Sequence, residues 1–159
     1  MSTADAVIGG IPEIEGNPPS VLIITAPYYR EVVESMAAGA RAVLDHVGAE
    51  HETVEVAGAF ELPQALRIAA ATETPVDGFI LIGCVVNGET DHYEFICDSV
   101  MHGILQVATA HRLATGTAVL TVDTLGQAMA RSHETGANKG AEAAAACLGQ
   151  IALKRRFGA

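Results

Sequence analysis

The sequence predicts an α/β fold, a three-layer αβα sandwich built on one four-stranded parallel sheet. Three observations predict it. Apolar runs and amphipathic stretches alternate as βαβαβαβα along the chain. The run FILIGCVV at 79–86 is continuously apolar, as a strand covered on both faces must be. The links between runs are short, and right-handed crossovers then gather successive strands into a single sheet.

Each element can be justified in turn. Residues 1–20 hold Gly9, Gly10, Pro12, Gly16, Pro18 and Pro19 and read as an N-terminal arm; a short strand at 7–11 would let it pair along a neighbour's sheet edge. Residues 21–157 read as a single domain. VLIITA at 21–26 is a buried strand, ended by Pro27. Over 30–46, Val32, Met36, Ala40 and Val43 recur at steps of three or four and predict an amphipathic helix. Alternation at 51–56 predicts the second strand. A helix follows over 61–71, with Pro63 in its first turn, where a missing N–H costs nothing. After the strand at 79–86, a helix is expected over 90–111, with Gly103 admitting a second helix. TAVLTV at 117–122 is the last strand. Thr124 and Gln127 make a capping box for a short helix. The final helix, 139–155, has an apolar stripe of Ala144, Cys147, Leu148 and Ile151, with Lys154, Arg155 and Arg156 at the end its dipole favours.

Composition narrows the functional classes. Nine basic against nineteen acidic residues give a net charge of -10 over 159 residues. That argues against a nucleic-acid surface, which would need a basic face, and against adhesion to anionic lipid. Any bound phosphate must be held locally. Half the residues are apolar, Trp is absent and aromatics are 4%, so the core rests on Ala, Val, Leu and Ile. Cys84, Cys97 and Cys147 match no zinc spacing and read as thiols of a reducing compartment. With no secretory signal and no apolar span long enough for a bilayer, a cytoplasmic location is expected.

Ligands of such sheets sit beyond the carboxyl ends of the strands. GETDHYEF at 88–95 lies there, as a glycine turn leading from a strand into a helix. With Thr90 as helix cap, His92 falls in the first turn, where the helix dipole favours the neutral imidazole able to accept a proton. Gly88, Glu89 and Thr90 offer backbone donors and a hydroxyl to a phosphate, and Arg131 and Lys139 are its credible cationic partners. Tyr28, with Tyr29 as its competitor, follows a strand end and suits stacking on a flat heterocycle. Glu61 beside Phe60 has two open readings: acceptor for a polyol, or a carboxylate placed to suit its helix dipole. Neither GxGxxG nor GxxxxGK[ST] occurs, so no nucleotide fingerprint is present.

Four blocks in order make these motifs recognisable: GAFELP at 58–63, GCVVNGETDHYEF at 83–95, TVDTLGQA at 121–128 and GANKGAEAA at 136–144. From about residue 20 to 157 the chain resembles the 6,7-dimethyl-8-ribityllumazine synthases of riboflavin synthesis. The resemblance implies a flavodoxin-like sheet and condensation of 5-amino-6-(D-ribitylamino)uracil with 3,4-dihydroxy-2-butanone 4-phosphate, without metal or organic cofactor. It implies that His92 transfers protons and Tyr28 stacks on the pyrimidine. Glu61 binds the ribityl chain, near the backbone of Ala59 and Phe60. Val85 and Val86 hold the uracil edge. Thr90, Arg131 and Lys139 serve the phosphate, with Glu142 orienting the basic groups. It also implies active sites between neighbouring subunits of a homo-oligomer, a pentamer at least, with a sixty-subunit icosahedral shell left open. Thr117 stands where many members supply an aromatic side chain from the neighbouring subunit. Pro27, Tyr29, Asn87, Glu89 and Thr117 depart from the family's usual residues; His92, Glu61 and Arg131 do not. Two rivals are a shell protein of the same fold without turnover and a small flavin- or nucleotide-binding module.

Overall fold

The computed structural model describes residues 10–11, 13–72, 76–133 and 137–158. Its centre is a four-stranded parallel sheet in the order β2-β1-β3-β4, made of β1 (Ser20–Ala26), β2 (Glu50–Glu55), β3 (Gly78–Val86) and β4 (Ala114–Val122). β1 pairs with β3 from Val21↔Gly78 to Ala26↔Gly83, and β3 with β4 from Gly78↔Ala114 to Val86↔Val122. The predicted α/β sandwich is therefore present.

Strand periodicity divides the core in two. On one face Val21, Ile23, Ile80, Ile82 and Cys84 pack under α1 (Arg30–His46) and α5 (Lys139–Phe157). On the other, Ile24, Ala26, Phe79 and Leu81 pack under α2 (Leu62–Ala69) and α3 (His92–Ala110). Of the stripes read from the sequence, Val32, Met36 and Ala40 in α1 and Ala144, Cys147, Leu148 and Ile151 in α5 are buried, and Val43 of α1 is partly buried against the same core.

Several junctions have local causes. A 3₁₀ turn at Pro27–Tyr29 follows β1, and another at Ala59–Glu61 precedes α2. α4 (Leu125–Met129) opens with the expected cap: Gln127 N–H donates to Thr124 Oγ1, and Gln127 Oε1 accepts from Asp123 N–H. Gly103 does admit α2, since a Cβ there would stand 2.9 Å from Pro63 Cγ. α5 ends at Gly158 with φ +64, the left-handed exit glycine adopts without strain.

The structure corrects some boundaries. Thr90 does not cap α3. Asp91 stands before the first helical residue with φ -64 and ψ -5, and no side chain caps the turn. That helical geometry differs from the extended backbone an N-cap acceptor needs. β4 begins at Ala114 rather than 117, because Gly116 lies inside the strand: a Cβ there would meet Ala143 O of α5 at 1.9 Å. The glycine is a point of close approach, not a strand end. In the arm, Ile11 and Ile14 pack against the chain's own core, and Arg155 Nη1 donates to the carbonyls of Glu15 and Asn17, both at 2.7 Å. The strand expected at 7–11 falls largely outside the described residues; Gly10 and Ile11 are not in a strand.

Candidate active site

The carboxyl ends of β1 and β3 meet where the strand order reverses, the point at which doubly wound sheets open a crevice. A cleft of ≈ 350 Å³ lies there, lined by Tyr28, Tyr29, Gly58, Ala59, Phe60, Glu61, Cys84, Val85, Val86, His92 and Ile96. Every wall comes from a different junction. The Pro27–Tyr29 turn brings the tyrosines, the Ala59–Glu61 turn brings Phe60 and Glu61, the last residues of β3 form the floor, and the first residue of α3 is His92.

The surfaces are chemically distinct. Tyr28 is 78% exposed and Phe60 48%, so the rim carries apolar rings that water does not favour. Glu61 curls back over its own turn: a Cβ on Gly58 would stand 3.2 Å from Glu61 Oε2. His92 is exposed at the mouth. Cys84 is buried in the floor, and burial pushes its thiol up to about 11, so it stays protonated at neutral pH. One wall thus offers an aromatic face, a second a carboxylate, a third aliphatic valines, and the rim an imidazole.

Of the residues expected from the sequence, Tyr28, Ala59, Phe60, Glu61, Val85, Val86 and His92 are brought together here. Glu89 and Thr90 lie exposed in the loop between β3 and α3, outside the lining. Arg131, just after α4, is half-buried, and its Nη1 donates to Gln127 O at 2.9 Å. Lys139 Nζ is paired with Glu142 Oε2 in the first turn of α5. Thr117 faces a second groove of ≈ 610 Å³ between α3 and β4, with Thr115, Thr121, Tyr93, Met101 and Leu105.

Sequence reasoning missed Cys84 and Ile96 as lining residues, and it left Tyr29 as a competitor of Tyr28. The available signal for Cys84 is its place beside Val85 and Val86 at the carboxyl end of β3. It also missed the cap of α5. Buried Asn138 accepts from Ala141 N–H at 3.0 Å, while its Nδ2 donates to Ser35 O and Ser132 O, each at 3.0 Å. Lys139 N–H donates to Arg131 O at 2.9 Å, so this hub fixes both cationic residues relative to α1. An asparagine immediately before a helix is a legible cap signal.

The fold and cleft define a class: an α/β protein with an open cleft at the switch point of a parallel sheet, walled by aromatic rings, valines, a carboxylate and an imidazole. Comparison with known proteins narrows it. Residues 18–155 match the 6,7-dimethyl-8-ribityllumazine synthase family. The protein of that name from Paramagnetospirillum magneticum is 41% identical over 144 residues, covering 87% of this chain and 96% of its own. That of Bartonella bacilliformis is 39% identical over 141 residues (88% and 93%), and that of Azorhizobium caulinodans 41% over 140 (86% of each). The chain belongs to the 6,7-dimethyl-8-ribityllumazine synthase family, whose members are transferases of riboflavin biosynthesis. No helix among the described residues is long and apolar enough to cross a membrane.

Proposed function

We propose that this chain condenses 5-amino-6-(D-ribitylamino)uracil with 3,4-dihydroxy-2-butanone 4-phosphate, giving 6,7-dimethyl-8-ribityllumazine with release of phosphate and water. The observation that carries the reading is the convergence of Tyr28, Glu61, Val85, Val86 and His92 on one cleft. The pyrimidine stacks on Tyr28 with its edge toward Val85 and Val86. The ribityl hydroxyls donate to Glu61, with the backbone of Ala59 and Phe60 beside them. The exocyclic amine then faces His92.

The chemistry follows. The primary 5-amino group attacks the carbonyl of the phosphorylated ketone and forms an imine as one water leaves. Phosphate is then eliminated, and the resulting enol becomes a ketone. The ribityl-bearing nitrogen closes the pyrazine ring on that ketone with loss of a second water. His92 accepts and returns protons during these steps and during phosphate elimination. The phosphate meets Thr90, the backbone donors of the Gly88–Thr90 loop including Glu89, and the cations Arg131 and Lys139. The Arg131 guanidinium exchanges the Gln127 carbonyl for phosphate oxygens and offsets their growing charge. Glu142, already paired with Lys139, orients that ammonium. Most of the acceleration comes from holding two polar reactants side by side. No metal or organic cofactor takes part.

In this reading the working unit is a homo-oligomer in the cytoplasm, a pentamer at least, with the N-terminal arm pairing along a neighbour's sheet edge. The groove between α3 and β4 supports it, because Met101 and Leu105 stand 45% and 60% exposed beside the Thr117 edge. Thr117 then closes the cleft of the adjacent subunit. The test mixes both substrates with purified protein and follows the lumazine product optically, with the spontaneous reaction subtracted. Product formation well above background is expected; a rate equal to background contradicts the reading.

A further inference from the structure

The turn after β1 places two tyrosines side by side in opposite environments. Tyr28 is 78% exposed at the cleft rim, whereas Tyr29 is half-buried and packs against the core cluster shared with α1. Their ring centroids lie 5.2 Å apart with planes inclined by 66°, an edge-to-face pair, and both rings line the cleft. The backbone beneath them is restrained. Pro27 fixes the entry to the turn. Arg30, the next residue, pairs with both carboxylate oxygens of Glu55 at the end of β2, at 2.9 and 3.3 Å.

An exposed aromatic side chain normally exchanges rotamers within nanoseconds, and a ligand that stacks on it must first stop that motion. An edge-to-face partner held by the core biases the exposed ring toward one orientation. We propose that Tyr29 is a positioning residue: its core-anchored ring holds Tyr28 ready as a platform for the aminouracil. This rests on the functional reading above. Tyr29 acts through the ring of Tyr28, and its hydroxyl has no part in the effect.

The experiment compares steady-state kinetics of the wild type, Tyr29→Phe, Tyr29→Leu, Tyr28→Ala and the double variant Tyr28→Ala/Tyr29→Leu, with a crystal structure of Tyr29→Leu. Tyr29→Phe behaves as wild type. Tyr29→Leu raises KM for the aminouracil about two- to tenfold, the range expected for one aromatic pair, and leaves kcat and the KM for the butanone phosphate unchanged. In the Tyr28→Ala background the same change has no further effect. In the crystal Tyr28 occupies more than one rotamer. The proposal is overturned if Tyr29→Leu costs as much without the Tyr28 ring, if both KM values rise together, or if Tyr29→Phe is as impaired as Tyr29→Leu. Should Tyr29→Leu fail to fold, Tyr29→Met keeps the apolar bulk without the ring and is read the same way. A wild type that forms no lumazine would sink the functional reading. The rotamer comparison still decides the ring pair, because a single unchanged Tyr28 rotamer in Tyr29→Leu contradicts it.

Discussion

His92 is the first residue of α3 and is exposed at the mouth of the cleft, and the proposed reaction gives it the proton transfers. A single proton shuttle contributes about 10²–10⁴-fold to a rate. Replacing His92 with Ala should therefore slow single-turnover formation of product by that order while leaving a rate above background. Loss to background, or no loss, would remove the histidine from its role. The cysteines illustrate the opposite environment. Burial pushes the Cys147 thiol from 9.0 up to about 12, and Cys84 up to about 11. A group whose folded value is raised contributes stability below its unfolded value and loses it as pH climbs toward the folded one. Stability should thus be level up to about pH 9 as far as these thiols are concerned, then fall toward pH 12. Cys147→Ala should flatten part of that fall in urea titrations at successive pH values, although it costs packing at neutral pH. An unchanged alkaline slope would show that Cys147 does not titrate differently in the two states.

Between elements, α1, α5 and β4 approach at distances that admit no side chain. A Cβ on Gly140 would lie 1.9 Å from Met36 O, a backbone atom that moves only if α1 moves. Gly140→Ala should lower stability by about 2–3 kcal/mol or more, the scale of overpacking in a closed core, seen as a lower urea midpoint. An unchanged midpoint would mean that the two helices separate at little cost. These contacts were only partly legible in the sequence. The α5 stripe of Ala144, Cys147, Leu148 and Ile151 could be read because periodicity records burial directly. Gly116 and Gly140 could not, because a glycine in a sequence signals a turn, a strand break or a close approach alike. Gly103 was read as an approach site because it fell within a long helical pattern, and Pro63 of α2 is the neighbour it admits. Thr90 suits a cap by residue type alone, but the helical backbone at Asp91 decides where α3 starts.

On the scale of the whole molecule the two ends of the sheet are finished differently. At the amino ends of β1 and β3, Asp77 Oδ2 accepts from Ser20 N–H at 2.8 Å, and Arg155 Nη2 lies 3.5 Å from Asp77 Oδ1. At the carboxyl ends the cleft stands open. That polarity made much of the candidate site legible: once the βα alternation is read, Tyr28, Glu61, Val85 and His92 must fall at the same end. The placements of Arg131, Lys139 and Thr117 were less legible, since they depend on side-chain partners and on a face of β4 that one chain leaves bare. If that face is where copies meet, light scattering should give a pentamer or larger assembly, and Leu105→Glu should dissociate it to monomers that stay folded. An assembly that tolerates the new charge would move the interface elsewhere.

In the proposed reaction the cleft between β1 and β3 receives the ribityl-bearing uracil with its 5-amino group turned to His92. A crystal structure with this substrate bound tests it most directly. The ring should stack on Tyr28, the ribityl chain should lie against Glu61, and the 5-amino group should come within hydrogen-bond reach of the His92 imidazole. A ligand seated elsewhere, or an imidazole turned to bulk water far from the amine, would contradict it.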